Sequence, residues 1–167
     1  GRAFEEQREN IARIGSDALG FVLDLSACMP DLPVTYVEEL RRLGVPEDAV
    51  RLLESEWAHH PPSEVDARLR ARLDGAPLTP DQRGMLSMPF GRFGSTRVAD
   101  WAEAITEFRS LHLKYWDLED ADGRVSRPIA DVRRTFGAVD YAGLVTSEWG
   151  GHEWLKDSNA VEMTRTH

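Results

Sequence analysis

The chain has 167 residues, 41% hydrophobic and 29% charged, enough for one domain with a sizeable core and too few for two comfortable ones. Its 29 acidic against 20 basic residues give a formal charge of −9 and a pI near 5.0. That balance argues against nucleic acid or anionic membrane as a partner, because both are held mainly by clusters of Lys and Arg.

Cys28 is the only cysteine, so an intrachain disulfide is excluded and a reducing, cytoplasmic setting is expected. The longest apolar candidate, residues 18–30, is interrupted by Asp24 and falls short of the roughly 18–20 residues a membrane span needs. The N-terminus lacks the cationic and then apolar layout of a secretion signal. It opens on Gly1 rather than Met, already at helical periodicity, and the expectation is that something has been removed ahead of it.

Phe4, Ile11 and Ile14 mark one helix face among Glu, Gln and Arg, with Gly15 as the stop. Leu19-Gly20-Phe21-Val22-Leu23-Asp24-Leu25 then reads as a buried strand of the kind parallel sheets use. Residues 34–94 differ in character and predict a helical insertion. Val37, Leu40 and Leu43 make one helix, stopped by Gly44; Pro46 opens a second, with Ala49, Val50, Leu53 and Trp57 on one side; Val65, Leu69 and Leu73 suggest a third; Thr79-Pro80 starts a short fourth. A glycine-rich loop over 89–94 is expected to follow.

Alternation then resumes. Val98, Trp101, Ala102, Ile105 and Phe108 predict a helix capped near Ser95 or Thr96. A strand over 110–116, a turn at Asp120-Ala121-Asp122-Gly123, and a helix lined by Ile129, Val132, Phe136 and Val139 come next. The third strand spans 142–148, and a last helix begins near Asn159 after a cap at Asp157 or Ser158 and runs to His167. The pattern implies α/β architecture, parallel strands alternating with helices in βαβ units. Three strands do not close a barrel of eight, so the sheet is either small and open or part of something larger.

The chemistry concentrates at strand ends. Leu144-Val145-Thr146-Ser147-Glu148-Trp149-Gly150-Gly151-His152 is an apolar run that ends on a carboxylate and opens into glycines, and Ser110-Leu111-His112-Leu113-Lys114-Tyr115-Trp116-Asp117 has the same design. With a period of two, His112, Lys114 and Trp116 point one way, Glu148 shares a face with Thr146 and Leu144 while Val145 faces the helices, and Asp24 lies with Val22. A single strand-end Asp more often caps a turn, and a single strand His more often sits satisfied in a core. Asp24, His112 and Glu148 at three successive strand ends point instead to a shared site, with donors suited to Mn²⁺, Mg²⁺, Co²⁺ or Zn²⁺. A Lys114 buried on that face would need a partner or a function. His59 and His60 read as a helix end, Trp57, Trp101 and Trp154 as packing residues, and Cys28 as an unactivated thiol.

Val22-Leu23-Asp24, then His112-Leu113-Lys114-Tyr115-Trp116, then Asp140-Tyr141-Ala142-Gly143-Leu144-Val145-Thr146-Ser147-Glu148-Trp149-Gly150-Gly151-His152 together resemble the sugar phosphate isomerase/epimerase family, the xylose isomerase-like TIM barrels. The matching residues are roughly 1–30 and 95–163, and the insertion finds no counterpart there. The resemblance implies that residues 1–167 form a single partial domain, the C-terminal portion of a TIM (β/α)8 barrel with a helical insertion at about 34–94. It implies Asp24, His112 and Glu148 as ligands of a divalent metal on the family's last three strands. A fourth ligand, a glutamate on the preceding strand, would lie ahead of Gly1.

It further implies that Glu148 carries a proton on a carbon beside a carbonyl and that Lys114 offsets charge on the substrate oxygen. Trp116 and His152 would contact the sugar. The activity implied is a metal-dependent isomerase or epimerase of a sugar, sugar phosphate or polyol, or a lyase or dehydratase on the same scaffold, C-glycoside cleavage included. It would be competent only with the missing N-terminal half-barrel or another subunit, and an oligomer is possible. The competing expectation is a non-catalytic half-barrel that serves assembly or binding.

Overall fold

The computed structural model describes residues 2–166; Gly1 and His167, where the first and last helices were read to begin and end, lie outside the described residues. α1 (Arg2–Ile14) turns its Phe4 onto Phe21, Phe108 and Trp101. It stops where Gly15 adopts a left-handed φ of 66°, a conformation a side chain would resist. β1 (Phe21–Asp24) is shorter than the expected strand. The Asp24 carboxylate accepts the Ser26 amide at 2.8 Å, and this local bond turns the chain into a 3-10 turn over Leu25–Ala27 before Leu25 can extend the strand.

Four helices follow: α2 (Val34–Arg42), α3 (Glu47–Trp57), α4 (Pro62–Arg72) and α5 (Pro80–Arg92). Prolines stand at or just before each start, and successive helices pack on one another, with α5 returning to α2. Tyr36, Leu40, Val50, Leu53, Trp57, Val65 and Leu69 form the interior of this layer. Thr79 and Gln82 make a reciprocal capping box at the start of α5, and the Gln82 amide reaches the carbonyls of Leu43 and Gly44 at 2.9 and 3.0 Å. The expected loop over 89–94 is corrected: α5 continues through Pro89 and Gly91 to Arg92. Pro89 is fully buried, and its packing outweighs the one ladder bond its ring removes.

Cys28 bridges Ser95, and the Thr96 hydroxyl donates to the Ala27 carbonyl at 2.6 Å. Both residues expected to cap a helix are thus spent on the loop after β1. The segment Val98–Glu107 is a 3-10 helix rather than an α-helix, and begins after Arg97, whose amide donates to Asp100. Phe108 opens β2 (Phe108–Tyr115) instead of closing that helix. α6 (Ser126–Gly137) starts where the Asp120 carboxylate accepts the Val125 and Ser126 amides; the Ser126 bond holds that carboxyl below the usual range. Val139 falls beyond the end of α6 and is exposed. β3 (Leu144–Trp149) and α7 (Ala160–Thr166) complete the described chain. The cap of α7 is Asn159, which accepts the Val161 amide at 3.1 Å, because the Ser158 hydroxyl is engaged by the Leu155 carbonyl and the Trp149 indole.

The three strands form one parallel sheet in chain order. Leu23, Leu111, Phe108, Val132, Phe136 and Ile105 pack between one sheet face and α6 with the 3-10 helix. The other face carries Asp24, His112, Lys114 and Glu148; it meets the helical layer at Trp116, while Val22 on the same face is 50% exposed. Leu144 is 72% exposed and Val145 54%, so apolar residues on both sides of β3 meet solvent. Val145, expected against helices, is therefore not covered.

Candidate metal and proton-transfer site

Parallel register brings the strand-end groups together. Asp24 stands opposite His112, and Lys114 opposite Glu148. His112 and Lys114, two residues apart, share a face. One ligand atom each from Asp24, His112 and Glu148 lies within 4.8 Å of the others, and His112 Nδ1 is 3.3 Å from Glu148 Oε2. Two donors about 2.1 Å from a common ion stand roughly 3.0–3.4 Å apart, so this pair and the mixed nitrogen and oxygen set fit a divalent cation.

Lys114 Nζ lies 3.3 Å from Glu148 Oε1, with its side chain 13% exposed. The carboxylate is the partner its charge requires at that depth. The Lys114 ammonium is also 5.9 Å from the centre of the Trp116 ring, within reach of a cation–π contact.

Trp116 sits just past β2 and is only 4% exposed. Its ring meets Phe93 edge-on at 5.0 Å, and its indole lies over Gly150, in the space a Cβ there would take. Gly151 likewise makes room for the Trp149 ring. The glycines after Glu148 thus accommodate two tryptophans. His152 is exposed, in the 3-10 turn Gly151–Glu153, and its Nδ1 donates to the Trp149 carbonyl at 3.0 Å; that bond leaves Nε2 as the acceptor side of the ring.

The sequence reading assigned no role to Asp117. It is buried at the end of the segment after β2, and its carboxylate accepts the Val34 and Thr35 amides and the Thr35 hydroxyl. The signal available was an acid directly after the strand-end aromatic, with a threonine at a helix start. Cys28 is buried, which pushes its thiol up. His60 is paired with Glu56 and Glu64 rather than with Cys28. Trp57 and Trp154 are buried in the helical layer and Trp101 is half-buried. Among the described residues no helix is long and apolar enough to cross a membrane.

No family model matches this chain. A C-glycoside deglycosidase alpha subunit of Arthrobacter globiformis is 28% identical over 166 residues, 95% of this chain and 46% of the relative. The protein of the same name from Microbacterium trichothecenolyticum is 24% identical over 94% of this chain and 48% of its own length. A 3'-dehydrocarminate deglycosidase alpha subunit of a Microbacterium species is 23% identical over 93% and 47%.

This chain is therefore similar to subunits of carbohydrate-processing enzymes, each named as one subunit of an assembly, and it spans about half the length of the curated relatives it matches. With so much of the chain covered, the match takes in the helices α2 to α5. The insertion that had no counterpart in the first resemblance has one here.

Proposed function

We propose that this chain is the metal- and proton-handling part of a carbohydrate-processing enzyme subunit that breaks a C-glycosidic bond in a sugar bearing a carbonyl. The carrying observation is the convergence of Asp24, His112, Glu148 and Lys114 at adjacent parallel strand ends. The names of the relatives give the bond class, and the term 3'-dehydro in one of them denotes an oxidised position. On this reading the chain is the C-terminal portion of a (β/α)8 barrel, with the remaining strands supplied by a longer parent or another subunit. The open sheet face and the doubled length of the relatives support that.

Asp24, His112 and Glu148 would hold a divalent cation (Mn²⁺, Mg²⁺, Co²⁺ or Zn²⁺), which when bound supplies Lewis-acid polarisation of the substrate oxygens. Glu148 takes the proton from the carbon beside the carbonyl. The electron pair left behind forms a double bond to the anomeric carbon as the bond from that carbon to the aglycone breaks. The aglycone carbon takes up a proton, with the Glu148 carboxylic acid formed in the first step as its source. Lys114 offsets the negative charge that develops on the carbonyl oxygen. His152 offers its free ring nitrogen to a sugar hydroxyl. Trp116, being buried, acts as the floor beneath Lys114.

An isomerase or epimerase shares the first proton transfer and differs in returning the proton to the sugar. Incubation of the complete assembly with a 3-oxo C-glycoside in D₂O separates the two: aglycone release supports cleavage, whereas deuterium in an intact sugar with no release supports isomerisation. Glu148→Gln should abolish either outcome while circular dichroism stays unchanged. Wild-type turnover in that variant would remove Glu148 from the reaction and favour a binding or assembly role. Metal analysis of the chain and of the assembly should find one divalent ion per site, and its absence from both would remove the ligand assignment.

A further inference from the structure

Asp117 is 6% exposed and takes no part in the reaction proposed above. Its Oδ2 accepts the Val34 amide at 2.7 Å, and its Oδ1 accepts the Thr35 amide at 3.1 Å and the Thr35 hydroxyl at 2.6 Å. The Thr35 hydroxyl in turn accepts the Trp154 indole N–H at 3.1 Å. A buried carboxylate is costly unless its lone pairs are met. Here they are met by three donors and by the positive end of α2.

The network joins three places. Asp117 follows β2, the strand of His112 and Lys114. Trp154 follows the turn after β3, the strand of Glu148. Val34 and Thr35 begin the helical layer. Thr35 is thus a hub between the chain leaving one site strand and the chain leaving the next. The ladder itself gives out at the same level, with the Gly150 amide donating to the Tyr115 carbonyl at 2.8 Å. Between that bond and Trp154 the two strand ends are held by packing, Trp116 on Gly150 and Phe93. Arg92 at the end of α5 adds an ion pair to Glu153 at 3.4 Å.

We propose that Asp117 is a positioning residue: it locks the helical layer onto the ends of β2 and β3 and so fixes the separation of Lys114 and His112 from Glu148. This rests on the metal-centre reading for its functional consequence. A cap that merely stabilised α2 would lower the stability of the helical layer and leave the strand ends as they are. A lock should loosen both strand ends and leave the interior of the layer intact.

Amide hydrogen exchange by mass spectrometry on the full chain distinguishes the two. Asp117→Asn should speed exchange about tenfold at residues 113–116 and 149–154, with α3, α4 and α5 keeping wild-type protection. Thr35→Val, which keeps the backbone donors and removes the hub, should do the same to a smaller degree, and Thr35→Ser should restore wild-type behaviour. Val65→Ala, a core truncation within the layer, should give the reverse pattern. If Asp117→Asn fails to fold, the Thr35 pair carries the same comparison.

Cobalt titration followed by visible absorption adds a signature that stability alone does not move: Asp117→Asn should weaken Co²⁺ binding about tenfold. Uniformly faster exchange, or unchanged exchange at 113–116, overturns the lock. If the wild-type chain and the assembly both take up no Co²⁺, the metal reading fails while the exchange pattern still decides the role of Asp117.

Discussion

At the scale of single residues, the site rests on a few close approaches. Gly150 is the clearest. The Trp116 indole occupies the volume a side chain there would need, and a buried ring between Phe93 and the strand end has little room to yield. Gly150→Ala should therefore destabilise the protein by about 1–3 kcal/mol, read as a lower urea midpoint with an unchanged slope. The sequence marked Asp24, His112, Lys114 and Glu148 as companions, because a period of two puts His112 and Lys114 on one face of their strand and the acids and the imidazole stand at three successive strand ends. It was silent on Trp116 over Gly150 and on Asp117 against Thr35. Those contacts join residues 34 and 82 positions apart, and no local pattern encodes them.

At the scale of elements, local signals served best where the chain is punctuated. Gly44 marked the stop of α2, Pro46 the start of α3, and Thr79-Pro80 announced α5. Thr79→Ala should cost about 1 kcal/mol, measured as a lowered thermal midpoint, since both halves of its capping box with Gln82 are made. The misreadings have physical causes. Val98, Trp101 and Ala104 recur at intervals of three, which suits a 3-10 helix as well as an α-helix, and only hydrogen bonding separates them. Pro89 signals a break locally, whereas burial keeps it inside α5. β1 ended early because the Asp24 carboxylate was already engaged with the Ser26 amide.

At the scale of the molecule, the helices fill a core of their own that meets the sheet at Trp116 and Trp154, while a second core lies between the sheet and α6. Parallel order was legible from strands separated by helical segments, since parallel neighbours need such crossovers. The bare outer side of β3 was not, because alternation says which way Val145 points and nothing of what stands opposite. That strand has a further consequence. Among the described residues β3 is an edge of the sheet, with Leu144 and Val145 exposed along it, and an edge strand is a template for another chain's strand. Sedimentation at rising concentration should show the isolated chain self-associating, and Val145→Lys should shift that onset to higher concentration by placing a charge in the seam. A concentration-independent monomer in the wild type would contradict this. Production of the chain by itself is therefore a contest between edge-to-edge growth and whatever strand arrives first.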